Sequence, residues 1–313
     1  MPHALAVADH AESLKVAPAA TARLLNGAAG YLYGHAAFAD AKTVLERALK
    51  IDEAAYGKTH PSVAVDVNNL GLVLYDLGDL AGARQCYERA LKIDEAAYGA
   101  DHPSVARDVN NLGAVLRNLG DLAGARQCFE RALKIAEAAY GADHPSVAPK
   151  VNNLGGVLKD LADLAGARQC FERALKIAET AYGADHPNVA IAVNNLGMVL
   201  KDIGDLAGAR QCCERALKID EAAYGADHPN VAIAVNNLGS VLWDLGDLAG
   251  ARQFFERALA VFESSLGKNH PSTRKVQATV RALNDAPATT AGVDEKPTGN
   301  APKEGNGSKH DAG

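Results

Sequence analysis

The stretch NNLGAVLRNLGDLAGARQCFERALK, residues 110–134, decides the fold of this chain. Close copies of it begin at Asn68, Asn152, Asn194 and Asn236, always at an interval of 42 residues. A catalytic centre is a single convergence of unlike residues, whereas a repeated unit builds a long surface. The sequence therefore predicts a repeat protein in which each unit buries its apolar face against its neighbours.

Each copy has the pattern of two helices joined by a short turn. In the third unit, Pro103 stands at a helix start, where its missing N–H does no harm, and Leu112 and Leu116 follow at helical spacing. Gly120 is placed to end this helix in a left-handed conformation, and Asp121 is placed to cap the next helix. These signals predict helix pairs along the whole repeated region and an all-α fold.

Three single positions allow more specific predictions or depart from the repeat pattern. Gly113 lies in the middle of a helix and recurs in the other copies, which predicts a close approach of the paired helix at Ala125 and its equivalents. Pro149 falls in the first helix of the fourth unit and is expected to shift or bend the start of that helix. Ala162 replaces the glycine that ends this helix in the other copies.

Composition and charge argue against several functional classes. The net charge of -6 does not favour a phosphate-binding surface, so we expect no nucleic-acid partner. No apolar run approaches the 18 residues or more of a membrane span, and the first residues lack the pattern of a secretory signal. We therefore expect a cytoplasmic protein without a membrane partner.

Cysteine and histidine recur once per unit, which disfavours disulfides and metal sites. Adjacent helix layers lie about 10 Å apart, further than the roughly 7 Å between Cα atoms that a disulfide allows. Histidines at the same spacing do not converge on one ion; each precedes a proline at a helix start, which predicts a local role. We expect reduced, half-buried thiols, no metal, no cofactor and no catalytic residues. The residues concerned are Cys86, Cys128, Cys170, Cys212, Cys213, His60, His102, His144, His186, His228 and His270.

The order of large and small residues in each unit resembles the tetratricopeptide repeat (TPR). In the third unit the pattern is carried by Leu112, Gly113, Leu116, Ala125, Phe129 and Ala132. The longer period, with NNL in the first helix and YGADHP after the second, resembles the kinesin-light-chain type of TPR over roughly residues 19–285. The resemblance implies a right-handed superhelix (α-solenoid) of stacked antiparallel helix pairs, acting as a non-catalytic scaffold that binds proteins or peptides.

The predicted organisation has six repeats between two caps. Residues 1–18 form a partial repeat or cap helix, residues 271–285 form a more polar capping helix, and residues 286–313 form a disordered tail with almost nothing apolar to bury. The six repeats span residues 19–60, 61–102, 103–144, 145–186, 187–228 and 229–270.

Two other roles stay open at this point. Residues 2–32 resemble the stretch that joins the NB-ARC (STAND) ATPase module to TPR arrays in bacterial signalling proteins. This resemblance implies a sensor region, which could regulate a separately encoded ATPase. The near-identical units could also form a structural or self-assembling array by stacking end to end, although we expect a monomer.

The TPR register places the first helix of each pair on the concave wall, where asparagine pairs recur. An amide side chain both donates and accepts hydrogen bonds, so a row of amides can bind the backbone of a peptide. The alternative is that one asparagine of each pair bonds loops or neighbouring helices; the second is favoured as the ligand-facing one. The predicted groove comprises Asn68, Asn69, Arg107, Asn110, Asn111, Arg117, Asn152, Asn153, Lys159, Asn194, Asn195, Lys201, Asn236, Asn237 and Trp243.

Selectivity must come from groove positions that differ between units. One such position is cationic in the middle of the array and aromatic at its ends, and it is followed by a row of aspartates that offsets the charge. The variable row is Tyr33, Tyr75, Arg117, Lys159, Lys201 and Trp243, and the aspartates are Asp76, Asp160, Asp202 and Asp244. An acidic peptide with an apolar anchor near Trp243 is one interpretation; solvated charges on an open face are the other.

Overall fold

The computed structural model describes residues 2–13, 16–35 and 37–285, and within them it contains fourteen α-helices and no strand. In chain order these are α1 (Pro2–Ser13), α2 (Pro18–Gly34), α3 (Phe38–Tyr56), α4 (Pro61–Asp76), α5 (Leu80–Tyr98), α6 (Pro103–Asn118), α7 (Leu122–Tyr140), α8 (Ala148–Asp160), α9 (Leu164–Tyr182), α10 (Pro187–Ile203), α11 (Leu206–Tyr224), α12 (Pro229–Asp244), α13 (Leu248–Leu266) and α14 (Pro271–Asp285). A single turn of 3₁₀-helix, Pro145–Val147, precedes α8.

The helices pack as six consecutive pairs, from α2 with α3 to α12 with α13, and each pair packs on the next. We call the even-numbered members, α2 to α12, the first helices and their partners the second helices. Successive first helices also contact one another directly, whereas successive second helices do not approach as closely. The first helices therefore form the inside of a curved stack. The predicted all-α solenoid is confirmed.

The predicted turn between the helices of a pair is confirmed in detail. Gly120 has φ +85°, and the Asp121 carboxylate accepts a hydrogen bond from the backbone N–H of Gly124 at 2.9 Å. Ala162 adopts the same left-handed conformation, with φ +63°. A side chain in this region costs roughly 1–2 kcal/mol, so the fourth unit keeps the turn in spite of a local strain that the glycines avoid.

The turn between pairs explains the recurring histidine. His102 Nδ1 accepts a hydrogen bond from the backbone N–H of Ser104 at 3.2 Å, and its ring stacks on Tyr98 with centroids 4.4 Å apart. The other units repeat the cap, and those after α3, α7, α9 and α11 also repeat the stacking. The histidines therefore cap the N-termini of α4, α6, α10, α12 and α14 and of the 3₁₀ turn before α8, which confirms their predicted local role.

The repeated mid-helix glycine allows the close approach of the paired helix that its recurrence predicts. A Cβ at Gly113 would lie 2.9 Å from the ring of Phe129 and 3.1 Å from the Cβ of Cys128. The residues nearest to this glycine are therefore Phe129 and Cys128 of the paired helix. In the fifth unit the position equivalent to Ala125 is among the nearest, because the Ala209 carbonyl would lie 3.2 Å from a Cβ at Gly197.

Pro149 changes the start of its helix, as expected. In the third unit the N–H of Ala106 bonds the carbonyl of His102, four residues back, whereas at the equivalent position of the fourth unit the N–H of Ala148 bonds the carbonyl of Pro145, three residues back. The first turn is therefore 3₁₀, and α8 begins only at Ala148.

One of the five cysteines is more deeply buried than predicted. Four cysteines are half-buried, and burial raises the pKa of Cys86 to about 11, which keeps this thiol protonated. Cys213 is fully buried, because it takes the place that Phe129 fills in the third unit. The predicted half-burial is therefore wrong for Cys213.

Both ends of the array carry a further helix. In α1 the side chain of Ala8 is buried, and Asp9 forms an ion pair with Arg47 of α3 at 2.6 Å. In α14, Val276 and Val280 are buried against α13. The predicted disordered tail, residues 286–313, lies outside the described residues.

Candidate peptide-binding face

All fifteen predicted groove residues lie on five first helices, α4, α6, α8, α10 and α12. We call the side of these helices that carries the asparagine pairs the inner face. The asparagines there are half-buried, except Asn68, whose exposed fraction is only 6%.

The asparagine pairs form a ladder between repeats. Asn111 donates from Nδ2 to Oδ1 of Asn68 in the preceding unit at 2.9 Å, and Asn153 donates in the same way to Asn110 at 3.0 Å. The bonds from Asn69 to Asn26, Asn195 to Asn152 and Asn237 to Asn194 continue this ladder. Both members of a pair therefore join neighbouring helices. The ladder uses only one N–H of each second asparagine and leaves its carbonyl oxygen with a free lone pair, although Asn111 Oδ1 also accepts from Asn110 at 3.5 Å.

The variable row is also bound to the next repeat. Arg117 Nε lies 2.5 Å from a carboxylate oxygen of Asp160, and the Nζ atoms of Lys159 and Lys201 lie 2.9 Å from the carboxylates of the aspartates one unit further on. The sequence predicted the variable row and the row of aspartates next to it. It did not predict the ion pairs, which join residues 43 apart, as in the asparagine ladder. The cations are therefore already neutralised, through pairs that contribute about 0–1 kcal/mol each.

Two further residues of the predicted groove, Arg107 and Trp243, contact other side chains of the array. Arg107 forms ion pairs with Asp108 at 2.8 Å and with Asp94 of the preceding unit at 3.2 Å. Trp243 lies in α12, the last of the first helices, and packs edge-on against Phe255 with ring centroids 6.5 Å apart. The Trp243 ring therefore packs against the hydrophobic core and also belongs to the inner face.

Buried carboxyl groups lie behind the N-terminal part of the inner face, and sequence reasoning missed them. Asp66 faces Asp52 from the preceding second helix, as Asp108 faces Asp94, and Asp66 and Asp108 are almost fully buried. Burial raises the pKa of Asp66 to about 7 and also raises the pKa of Asp52 and Asp108. The signal in the sequence was an aspartate among apolar residues at a core-facing helical position.

Exposed apolar side chains on the inner face were also missed. Ile191 is 53% exposed and stands one helical turn before Asn195; Val65 and Ile233 occupy the equivalent position in their units, and Leu72 lies further along α4. The i, i+4 relation to the second asparagine could have identified Ile191 and its equivalents. Apolar groups beside unused amide groups suit a peptide ligand better than a small ion.

Recesses open on the inner face at the junctions in the middle of the array. One recess of about 230 Å³ brings together predicted groove residues from three repeats; it is lined by Arg117, Asn152, Asn153, Lys159, Asn195 and Met198, among others. A second, of about 290 Å³, lies between α6 and α8, and a third, of about 150 Å³, lies between α8 and α10.

Family comparisons agree with this geometry. One model described as tetratricopeptide repeat matches residues 20–96, 63–117, 148–209, 190–264 and 231–279, and a second model of the same description matches residues 109–146. The chain belongs to the tetratricopeptide repeat family. No curated protein sequence matches this TPR array significantly.

Solved structures of similar fold are TPR proteins of the kinesin-light-chain type. One is a Podosopora anserina protein with nearly identical TPR-like repeats, named after kinesin light chain: 18% identity, TM-score 0.53, covering 66% of this chain and 97% of that one. Another is BtubC (BKLC) from P. vanneervenii: 22% identity, TM-score 0.56, covering 87% of this chain and 97% of that one. At these identities the likeness concerns the fold.

Two further observations bear on the class of site. Among the described residues of the TPR array, no group of three or more histidine, cysteine, aspartate or glutamate side chains could hold a metal ion. No helix in the described ranges is long and apolar enough to cross a membrane. Arrays of this family are in general non-catalytic scaffolds for protein interaction.

Proposed function

We propose that this TPR array is a cytoplasmic, non-catalytic scaffold that binds a protein segment along its inner face. The observation that carries the proposal is a row of amides with unused hydrogen-bonding groups on five successive first helices, beside exposed apolar side chains on α4, α10 and α12. The second asparagine of each pair offers its oxygen to a backbone N–H of the ligand. Ile191 and Ile233 offer apolar area beside it.

The predicted preference for an acidic segment with an apolar anchor beside Trp243 is part of the proposal, with one restriction. Because Arg117, Lys159 and Lys201 are already paired with aspartates, an acidic ligand must compete with those carboxylates for the variable row. Such exchange on a partly exposed surface contributes little net free energy. Charge selectivity is therefore expected to come from another cation.

Two isoleucines on the same helix allow a matched test of the inner face. The full chain is used to select binders from a library of displayed random 12-residue peptides, and the affinity of the best peptide is measured by fluorescence polarisation. Ile191→Arg is expected to weaken binding at least about tenfold, since it replaces buried apolar contact by a charge. Ile203 is similarly exposed, at 45%, but lies in the last turn of α10.

Ile203→Arg is the control and should leave the affinity within a factor of two. Equal loss in both variants, or no loss in either, would place binding away from the inner face. A library from which no peptide is enriched would contradict the scaffold role itself. The sensor for a separate NB-ARC-type ATPase and the self-assembling array remain hypotheses; concentration-dependent light scattering of the full chain separates the latter from a monomer.

A further inference from the structure

Two recesses at successive junctions between repeats are lined by equivalent positions that carry different residue types. The recess between α6 and α8 is lined by Arg107, Ala136 and Lys150, and the recess between α8 and α10 is lined by Pro149, Ala178 and Ala192 at the positions 42 residues further on. The fold therefore supplies the same pocket twice. The residues that differ decide what each pocket accepts.

The first pocket holds a cation without a partner. Units two and three carry a buried aspartate at the position of Lys150, opposite another aspartate; in unit four the lysine faces Ala136 instead. Lys150 is half-buried, burial lowers its pKa, and it makes no hydrogen bond or ion pair within the described part of the chain. A desolvated ammonium group is unfavourable until an anion meets it.

Charge complementarity identifies the group that fits this pocket. Arg107, the other cation of its lining, is already bound to Asp94 and Asp108, so Lys150 is the cation left for a ligand. The backbone of a peptide supplies no anion along its length, whereas Asp and Glu side chains do. A carboxylate side chain therefore matches the first pocket.

The second pocket is lined mainly by apolar residues, and Asn152, Asn153 and Asn188 complete its lining. Ala178 and Ala192 are both small, and Pro149 and Ile191 border the opening between them. Its volume of about 150 Å³ resembles that of an engineered apolar cavity that binds benzene. The second pocket therefore fits a leucine or phenylalanine side chain.

We propose that the two pockets together bind an extended segment in which a carboxylate side chain and a leucine or phenylalanine stand three residues apart. Successive helix layers are about 10 Å apart. In a polyproline II chain, residues i and i+3 point to the same side and lie about 9 Å apart, which matches this spacing. The inference rests on the proposed scaffold function and specifies the chemistry of its ligand.

A residue exchange between the pockets tests this assignment. Lys150→Ala gives the first pocket the alanine of the second, and Ala192→Lys does the reverse. Random 12-residue peptides are selected on the full chain, on each single variant and on the double variant. On the native chain, we expect enrichment of Asp or Glu three positions from Leu or Phe, in one order along the peptide.

Each variant has a distinct expected outcome. Lys150→Ala should remove the acidic preference and weaken the best native peptide about tenfold, the usual effect of one lost charge-assisted bond. The double variant should select peptides with the two residues in the opposite order. Because Ala192→Lys could lower stability, thermal unfolding of each variant is measured first, and Lys150→Ala alone still decides the acidic preference.

The result that overturns the inference differs from the result that overturns the scaffold. Enriched peptides without the three-residue spacing, or with the same motif on the native chain and on Lys150→Ala, would contradict the two-pocket site while leaving the inner face as the binding surface. Enrichment that is insensitive to Ile191→Arg as well would contradict the proposed function itself.

Discussion

Replacing Asp66 with asparagine is expected to make the free energy of unfolding less dependent on pH. In the native chain, Asp66 should lower this free energy by about 4 kcal/mol between pH 4 and pH 8, and in the variant this decrease should be absent. The Asp66 side chain is 1% exposed, and burial raises its pKa from 3.8 to about 7. A pKa difference of one unit corresponds to about 1.4 kcal/mol, which gives the order of magnitude.

The sign follows from proton uptake. Between the unfolded pKa near 4 and the folded pKa near 7, the folded chain holds a proton at Asp66 that the unfolded chain has released. The contribution of Asp66 to the free energy of unfolding is therefore highest below pH 4 and falls as the pH rises to about 7.

The surroundings of Asp66 explain why the proton is held. Oδ2 of Asp66 and Oδ1 of Asp52 are buried without a hydrogen-bond partner, and a proton between the two carboxyls gives both a partner. The other neighbours are Asn26, which donates to Asp66 at 2.6 Å, and the charges of His60 and Arg23, which act on Asp52. Asparagine keeps the acceptor for Asn26 and supplies a permanent donor to Asp52.

Urea unfolding at a series of pH values measures this effect. The difference in free energy between Asp66→Asn and the native chain should grow from near zero at pH 4 to about 4 kcal/mol at pH 8. Asp101→Asn, in an exposed loop, is the control and should follow the native curve. A difference for Asp66→Asn that does not change with pH would show that the carboxyl is ionised throughout.

Replacing Gly113 with alanine is expected to lower the free energy of unfolding by about 1–3 kcal/mol. Alanine favours a helix by roughly 0.5–1 kcal/mol over glycine, so propensity alone predicts the opposite sign. The added Cβ would lie 2.9 Å from the Phe129 ring and 3.1 Å from the Cβ of Cys128, closer than carbon atoms pack. The ring is fully buried, so moving it aside would disturb the packing around it.

Gly30 in α2 provides the matched control. It also lies within a first helix, but no heavy atom would come within 4 Å of an added Cβ. Gly30→Ala should therefore raise the free energy of unfolding by roughly 0.5–1 kcal/mol. Chemical denaturation followed by circular dichroism measures both variants. Stabilisation by both would mean that the helices of a pair are not in close contact at Gly113.

The sequence predicts what lies within one repeat better than what lies between repeats. Helix starts, the left-handed glycine turn and the aspartate cap depend on residues close together in the chain, and these local signals are unambiguous at Gly120 and Asp121. The bonds from Asn111 to Asn68 and from Arg117 to Asp160 depend on how far one repeat rotates against the next. That offset of 43 residues is a property of the packed stack.

The candidate site was predictable only in part for the same reason. The period identified the first helices and the asparagine pairs, and it placed the predicted groove on one face. It did not distinguish Lys150, because a lysine on a helix is ordinarily solvated; only the packing of Ala136 and Ser146 around it leaves it half-buried and unpaired within the described chain.

Photo-crosslinking tests most directly whether the inner face binds an extended segment. A selected peptide carrying a photoreactive leucine analogue at its apolar position is irradiated with the full chain, and the attachment site is read by mass spectrometry. The account predicts attachment within α8 and α10, at Pro149, Ile191 or their neighbours. Attachment on the outer side of the second helices, for example at Lys134 or Lys176, would contradict it.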